Sequence, residues 1–122
     1  MPNTTTYNPA GYADISIEGD QSYTSFVGVK ADADVIFERL EKERKPRLAL
    51  IDLGKQGKFT ADSNRAAMEM LEATNYERVA IFGANKILEE VTKGIILAMG
   101  KSDRTRIFSD KESALAWLQL PA

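Results

Sequence analysis

The chain has 122 residues, 43% of them hydrophobic and 28% charged, with 16 basic side chains against 18 acidic ones and a net charge of −2. That length closes one hydrophobic core, and so even a balance gives no global attraction to nucleic acid or to an anionic membrane. Cysteine and histidine are both absent. This excludes disulfides, zinc–thiolate sites, thiol nucleophiles and a Ser-His-Asp triad, and leaves acid–base chemistry to Asp, Glu, Lys, Tyr or Ser.

No apolar run approaches the roughly 20 residues that span a bilayer. Residues 1–11 lack the cationic start and apolar core of a signal peptide. The expectation is a cytoplasmic protein with no transmembrane segment and no nucleic-acid partner. Residues 1–12 hold two prolines and a glycine without periodicity and read as a flexible N-terminal arm. Residues 13–120 read as one domain.

Residues 13–18 alternate apolar and polar side chains (Ala13, Ile15, Ile17 against Asp14, Ser16, Glu18), the pattern of a strand with one wet face. Gly19 and Asp20 supply turn chemistry. Residues 22–29 carry Tyr23, Thr24, Phe26, Val27 and Val29, types that favour strands. An N-terminal antiparallel hairpin of these two segments is expected. Asp32 or Asp34 then caps a helix that buries Val35, Ile36 and Leu40 and ends before Pro46.

Three strand-then-helix units follow. Residues 48–53 are apolar on both faces, as in a strand covered by helices on each side. Residues 54–61 form a polar connection with two glycines and two lysines. Its spacing departs from a phosphate-binding Gly-x-x-x-x-Gly-Lys-Ser/Thr loop, and Phe59 follows Lys58. Asp62 and Ser63 open the next helix, which buries Ala66, Ala67, Met70 and Leu71.

Residues 78–82 are a second buried strand, closed by Gly83. The helix from about Asn85 to Met99 is apolar beyond one face: Ile87, Leu88, Val91, Ile95 and Ala98 make a stripe that Ile96, Leu97 and Met99 widen. Gly94 inside it costs about 1 kcal/mol relative to alanine, which a close neighbour or a cavity would explain. Core, dimer surface and wall of an apolar pocket all fit this helix. Gly100 stops it, residues 105–108 form a third strand, and Ser109 with Glu112 fits a capping box for the last helix. Successive strand–helix units imply right-handed crossovers and a largely parallel sheet.

The strand at 48–53 ending in an acid, the Asp62-Ser63 helix start, Arg78-Val79-Ala80-Ile81-Phe82-Gly83 and the closing Phe108-Ser109-Asp110-Lys111-Glu112-Ser113-Ala114-Leu115-Ala116-Trp117-Leu118 resemble the SpoIIAA-like (STAS/SEC14) proteins. The resemblance covers about residues 47–119. It implies an α/β STAS-like fold, a mixed sheet with an N-terminal antiparallel hairpin and helices packed on the sheet. It also implies a non-enzymatic regulatory module with a protein partner, as monomer or homodimer, without a cofactor.

In anti-anti-sigma relatives a serine or threonine at the matching helix start is phosphorylated, and here that position is Ser63. The resemblance thus marks Asp52, Lys58, Asp62 and Ser63 as a phospho-switch or partner loop. The sequence departs from the family's Asp-Ser-Ser/Thr-Gly signature with Asp62-Ser63-Asn64-Arg65, and Asp62 and Ser63 are equally ordinary helix-capping residues. The SEC14 side implies instead a small apolar or lipid ligand, walled by Phe82, Ile87, Val91, Ile95, Ile107 and Trp117. A third reading places Mg²⁺ on Asp52 and Asp62 with Lys55 or Lys58 beside them. The paired acids such receiver-type sites carry after their first strand are missing, and the chain is read as no enzyme and as binding no metal.

Overall fold

The computed structural model describes residues 3–121. Its elements run β1 (Thr4–Asn8), β2 (Tyr12–Gly19), α1 (Tyr23–Lys42), β3 (Leu48–Gln56), α2 (Ala61–Ala73), β4 (Arg78–Phe82), α3 (Lys86–Ala98), β5 (Thr105–Phe108) and α4 (Lys111–Leu118). The strands form one sheet in the order β1-β2-β3-β4-β5. β1 is antiparallel to β2, and the other pairs are parallel.

Because each crossover steps to the adjacent strand in the same direction, right-handed connections carry α1, α2 and α3 to one face. Alternation along the strands separates two cores. Ala49, Ile51 and Leu53 of β3 join Phe26, Leu40, Leu71, Leu88 and Ile96 under the three helices. Leu48 and Leu50 join Tyr12, Ala80, Ala114 and Leu118 under α4 on the other face.

The N-terminal hairpin is present, but its strands differ from those expected. β1 lies inside the segment read as an arm. It turns back through Pro9-Ala10-Gly11, where Gly11 takes a φ of 103° and its N–H donates to the Asn8 carbonyl at 2.8 Å. Met1 and Pro2, also assigned to the arm, lie outside the described residues.

The segment expected as the second strand, residues 22–29, is instead the start of α1. Ser22 caps that helix: its hydroxyl accepts the Ser25 N–H at 3.2 Å, while the Ser25 hydroxyl accepts the Ser22 N–H at 2.9 Å. Phe26, Val29, Ala33, Ile36, Phe37 and Leu40 then repeat at helical spacing on the buried side. Strand-favouring side chains give way to this burial and to the cap. Asp32 and Asp34 therefore sit mid-helix rather than at its start, and Val35 is exposed rather than buried. At α4 the cap is Asp110, one residue beyond Ser109, and it accepts the Ser113 N–H at 2.7 Å.

Candidate functional site

The long connection from β3 to α2 is shaped by a register shift. β2 and β3 pair Ser16 with Asp52 and then Glu18 with Lys55, so β3 carries one extra residue at that step. Such a bulge bends the strand and re-aims the residues beyond it. Asp52 stabilises it, its carboxylate accepting the Gly54 N–H at 2.7 Å. Gly83, with φ 86°, lies against the same carboxylate, where a Cβ would approach Asp52 Oδ1 to 2.8 Å and Gly54 N to 2.9 Å.

The turn beyond is exposed but tied. The Gly57 N–H donates to the Gly19 carbonyl at 2.8 Å, the Lys58 N–H to the Asp20 carboxylate at 2.7 Å, and the Gln21 N–H to the Lys58 carbonyl at 2.9 Å. A side chain at Gly57 would displace the Asp20 carboxylate and press on the Gly19–Asp20 backbone, 3.2 Å from its Cβ. The Lys58 side chain is left in solvent, with no ion pair among the described residues.

Thr60 caps α2, and Ser63 completes a reciprocal box. Thr60 Oγ1 accepts the Ser63 N–H at 3.0 Å, and Ser63 Oγ accepts the Thr60 N–H at 2.8 Å. Ser63 Oγ also donates to the Thr60 carbonyl at 3.0 Å. Its side chain is fully buried, at 0% exposure. The hydroxyl thus both donates and accepts inside the helix start, and the first turn of α2 must open before it can meet a phosphoryl donor. Asp62 is exposed and pairs with Arg65 at 3.4 Å.

The four residues expected to form a switch or partner loop therefore occupy one strand-to-helix connection with divided tasks. Lys58 and Asp62 face solvent, whereas Asp52 and Ser63 hold the backbone. Sequence reasoning gave Asp20 only to the turn after residue 18 and missed Gln21 and Thr60; together the three fix the connection. Thr60-x-x-Ser63 has the spacing of a capping box, with serine where glutamate is usual, and that signal was legible. Beyond the end of β5, the Ser113 backbone N–H holds the Asp110 carboxyl below its ordinary range, with help from the Ser113 hydroxyl. Among the described residues, no group of three or more Asp or Glu side chains is placed to hold a metal ion.

The six residues expected to wall an apolar pocket divide between the two faces. Val91 and Ile95 line a cleft of about 60 Å³ between α2, α3 and the sheet, with Ile17, Phe26 and Leu71. Ile107 packs on that same face. Phe82 and Trp117 belong to the α4 side, where the Trp117 ring lies 5.7 Å from that of Phe108. Ile87 is 72% exposed. The cleft has room for about two waters, whereas sites for drug-sized ligands occupy roughly 300–1,000 Å³. Gly94 has no atom within 4 Å of where a Cβ would stand, so neither a close neighbour nor a cavity wall accounts for it. Among the described residues, no helix is long and apolar enough to cross a membrane.

The model of the SpoIIAA-like family matches residues 20–119. No curated protein matches the chain in sequence. Among solved structures, it is similar to an uncharacterised protein of the DUF3478 family with a SpoIIAA-like fold from Shewanella loihica PV-4. The TM-score is 0.62 at 18% identity, covering 95% of this chain and 91% of that one. It is also similar to the anti-sigma factor antagonist SpoIIAA in its unphosphorylated form. There the TM-score is 0.61 at 8% identity, covering 93% of this chain and 94% of that one.

Proposed function

The chain belongs to the SpoIIAA-like family, and from that premise we propose that it is a non-enzymatic, cytoplasmic regulatory module that binds a protein partner through residues 54–60 and the start of α2. One observation carries this reading: the turn is exposed yet clipped by three hydrogen bonds to the segment Gly19-Asp20-Gln21. A loop ordered before binding loses little conformational entropy on association, and an exposed loop on a rigid scaffold is where recognition residues concentrate. Lys58 and Asp62 make the contacts, and Asp52 and Ser63 keep the turn in shape. The similarity to an anti-sigma factor antagonist supports a protein as the partner. The burial of Ser63 argues that binding here does not wait on its phosphorylation.

A photo-crosslinking residue placed at Lys58 tests the proposal in extract of the native host. It should trap one partner that the same group at Glu38, on the exposed side of α1, does not trap. Phosphatase treatment before crosslinking should leave the yield unchanged, since the Ser63 hydroxyl is buried in the helix start. Equal trapping from both positions would overturn the assignment of the surface.

A second reading, a binder of a small apolar ligand, is favoured by the cleft that Val91 and Ile95 share with Ile17, Phe26 and Leu71. A fatty acid would enter only if α3 moved outward. Native mass spectrometry of purified protein with no bound lipid, together with no thermal stabilisation by fatty acids, would remove this reading.

A further inference from the structure

The last strand of the sheet ends in an open edge that the partner surface at residues 54–60 does not use. β5 pairs with β4 on one side, and no described strand lies on the other. Beside this edge runs an open groove of about 540 Å³, lined by Lys93, Ile96 and Leu97 of α3 and by Thr105, Arg106 and Ile107 of β5, among others. Leu97 is 74% exposed. The groove therefore offers unpaired backbone donors and acceptors next to an aliphatic side chain that the fold leaves in water.

Its unpaired charge is positive and rests on Arg106, because Lys93 is already paired along α3. Lys93 and Arg106 line it, and no acidic residue does. Glu89 and Glu90 lie toward the N-terminal end of α3, in pairs with Lys93 at 3.4 and 4.0 Å, and Asp103 pairs with Arg104 at 3.8 Å. Arg106 lies 5.7 Å from the Trp117 ring and has no ion pair among the described residues.

We propose that this edge and the α3 flank beside it dock an extended acidic segment of a protein partner, which adds to the sheet as a sixth strand. Strand addition takes its affinity from main-chain hydrogen bonds and its specificity from alternate side chains. Here the alternation is set by β5 itself. Ile107 packs on the α1–α3 face and Phe108 on the α4 face, so Arg106 shares the face of Phe108. Alternate residues of the added segment thus lie over Ile107 and Leu97 or beside Arg106. The segment that fits alternates apolar and acidic residues. A second copy of this chain fits poorly, because antiparallel pairing of two β5 strands brings their Arg106 side chains close across the axis, and like charges on paired strands repel.

The test uses the full chain, isotope-labelled for amide NMR, and an N-acetylated, C-amidated peptide of about four Val-Glu repeats, long enough to cover the edge at about 3.4 Å per residue. Its Val-Lys counterpart and an N-methylated version serve as controls. The acidic peptide should shift amides of residues 93–97 and 105–108, and the lysine peptide should bind about tenfold more weakly. N-methylation on alternate residues should abolish binding, and Arg106→Glu should reverse the preference between the two charged peptides. Leu97→Ser, at an exposed position, should weaken the acidic peptide without unfolding the protein. Equal binding of both charged peptides, shifts centred on residues 54–60, dimerisation through β5, or no binding at millimolar peptide would each overturn the proposal.

Discussion

α2 and α3 arise from the same local pattern, a buried parallel strand, a turn and an amphipathic helix, yet they end in opposite situations. α3 carries the more apolar sequence, but only Leu88 and Ile96 are buried along it, and Ile87 and Leu97 stand in water. α2 is more polar, yet even its Ser63 is fully buried. The difference comes from position in the layer. α2 has α1 on one side and α3 on the other, whereas α3 ends the row over the last strand. Burial thus depends on the neighbours that the topology provides, and the surplus apolar surface of α3 becomes the flank of the β5 groove.

Paired truncations test this contrast most strongly. Leu71→Ala in α2 should lower stability by about 2–5 kcal/mol, as at other well-packed leucines, while Leu97→Ala should stay within about 0.5 kcal/mol of the parent. Urea denaturation of both variants checks it. Similar losses would mean that α3 is as firmly packed as α2.

The cap of α2 comes next. Ser63→Ala should cost about 1–2 kcal/mol, since it breaks the reciprocal box and leaves the Thr60 N–H without its partner. Ser63→Asp should cost more, because a carboxylate would then replace a buried hydroxyl. The acidic substitution would act here as a lesion in the fold, a result read by the same denaturation experiment. On α3 the sign reverses. Gly94→Ala should stabilise by about 0.5–1 kcal/mol, since the added methyl meets nothing and the helix gains propensity.

The smallest effect is alkaline. Burial raises the Tyr76 hydroxyl above its ordinary value, and its hydrogen bond with Thr105 only partly offsets this; burial likewise raises Tyr12. Because the folded pKa is raised, the unfolded chain loses its tyrosine protons first. The stability these groups contribute is complete below the unfolded value of about 10 and declines as pH rises past it. Tyr76→Phe should flatten that decline above about pH 10.

Much of the region from β3 to β5 was legible in the sequence. Residues 48–53 and 78–82 are apolar on both faces because helices cover both sides, and such runs read as strands without tertiary information. Gly100 stops α3 with a φ of 65°, as its position suggested. The N-terminal third was harder. Thr4, Thr5 and Thr6 have no apolar alternation, because an edge strand with an exposed face needs none, and its pairing with β2 is a tertiary fact. Tyr23, Thr24, Phe26, Val27 and Val29 favour strands individually, and only the reciprocal Ser22–Ser25 cap and the continued spacing to Leu40 make them helical. Asp62 and Ser63 were placed at the helix start, but their fates diverged. Helical rotation turns Asp62 to water and Ser63 to the core, and a residue's type alone does not say which.

Native-state hydrogen exchange on the amides of Gly57 and Ser63, compared with those of Val91 and Ile95, tests the central claim most directly. That claim is that the start of α2 is a fixed platform while α3 is loosely held. The Gly57 and Ser63 amides, each held by a hydrogen bond at 2.8 and 3.0 Å, should exchange at least about tenfold more slowly than those of Val91 and Ile95, which open locally. Free exchange at Gly57 and Ser63, with α3 protected to the global limit, would contradict it.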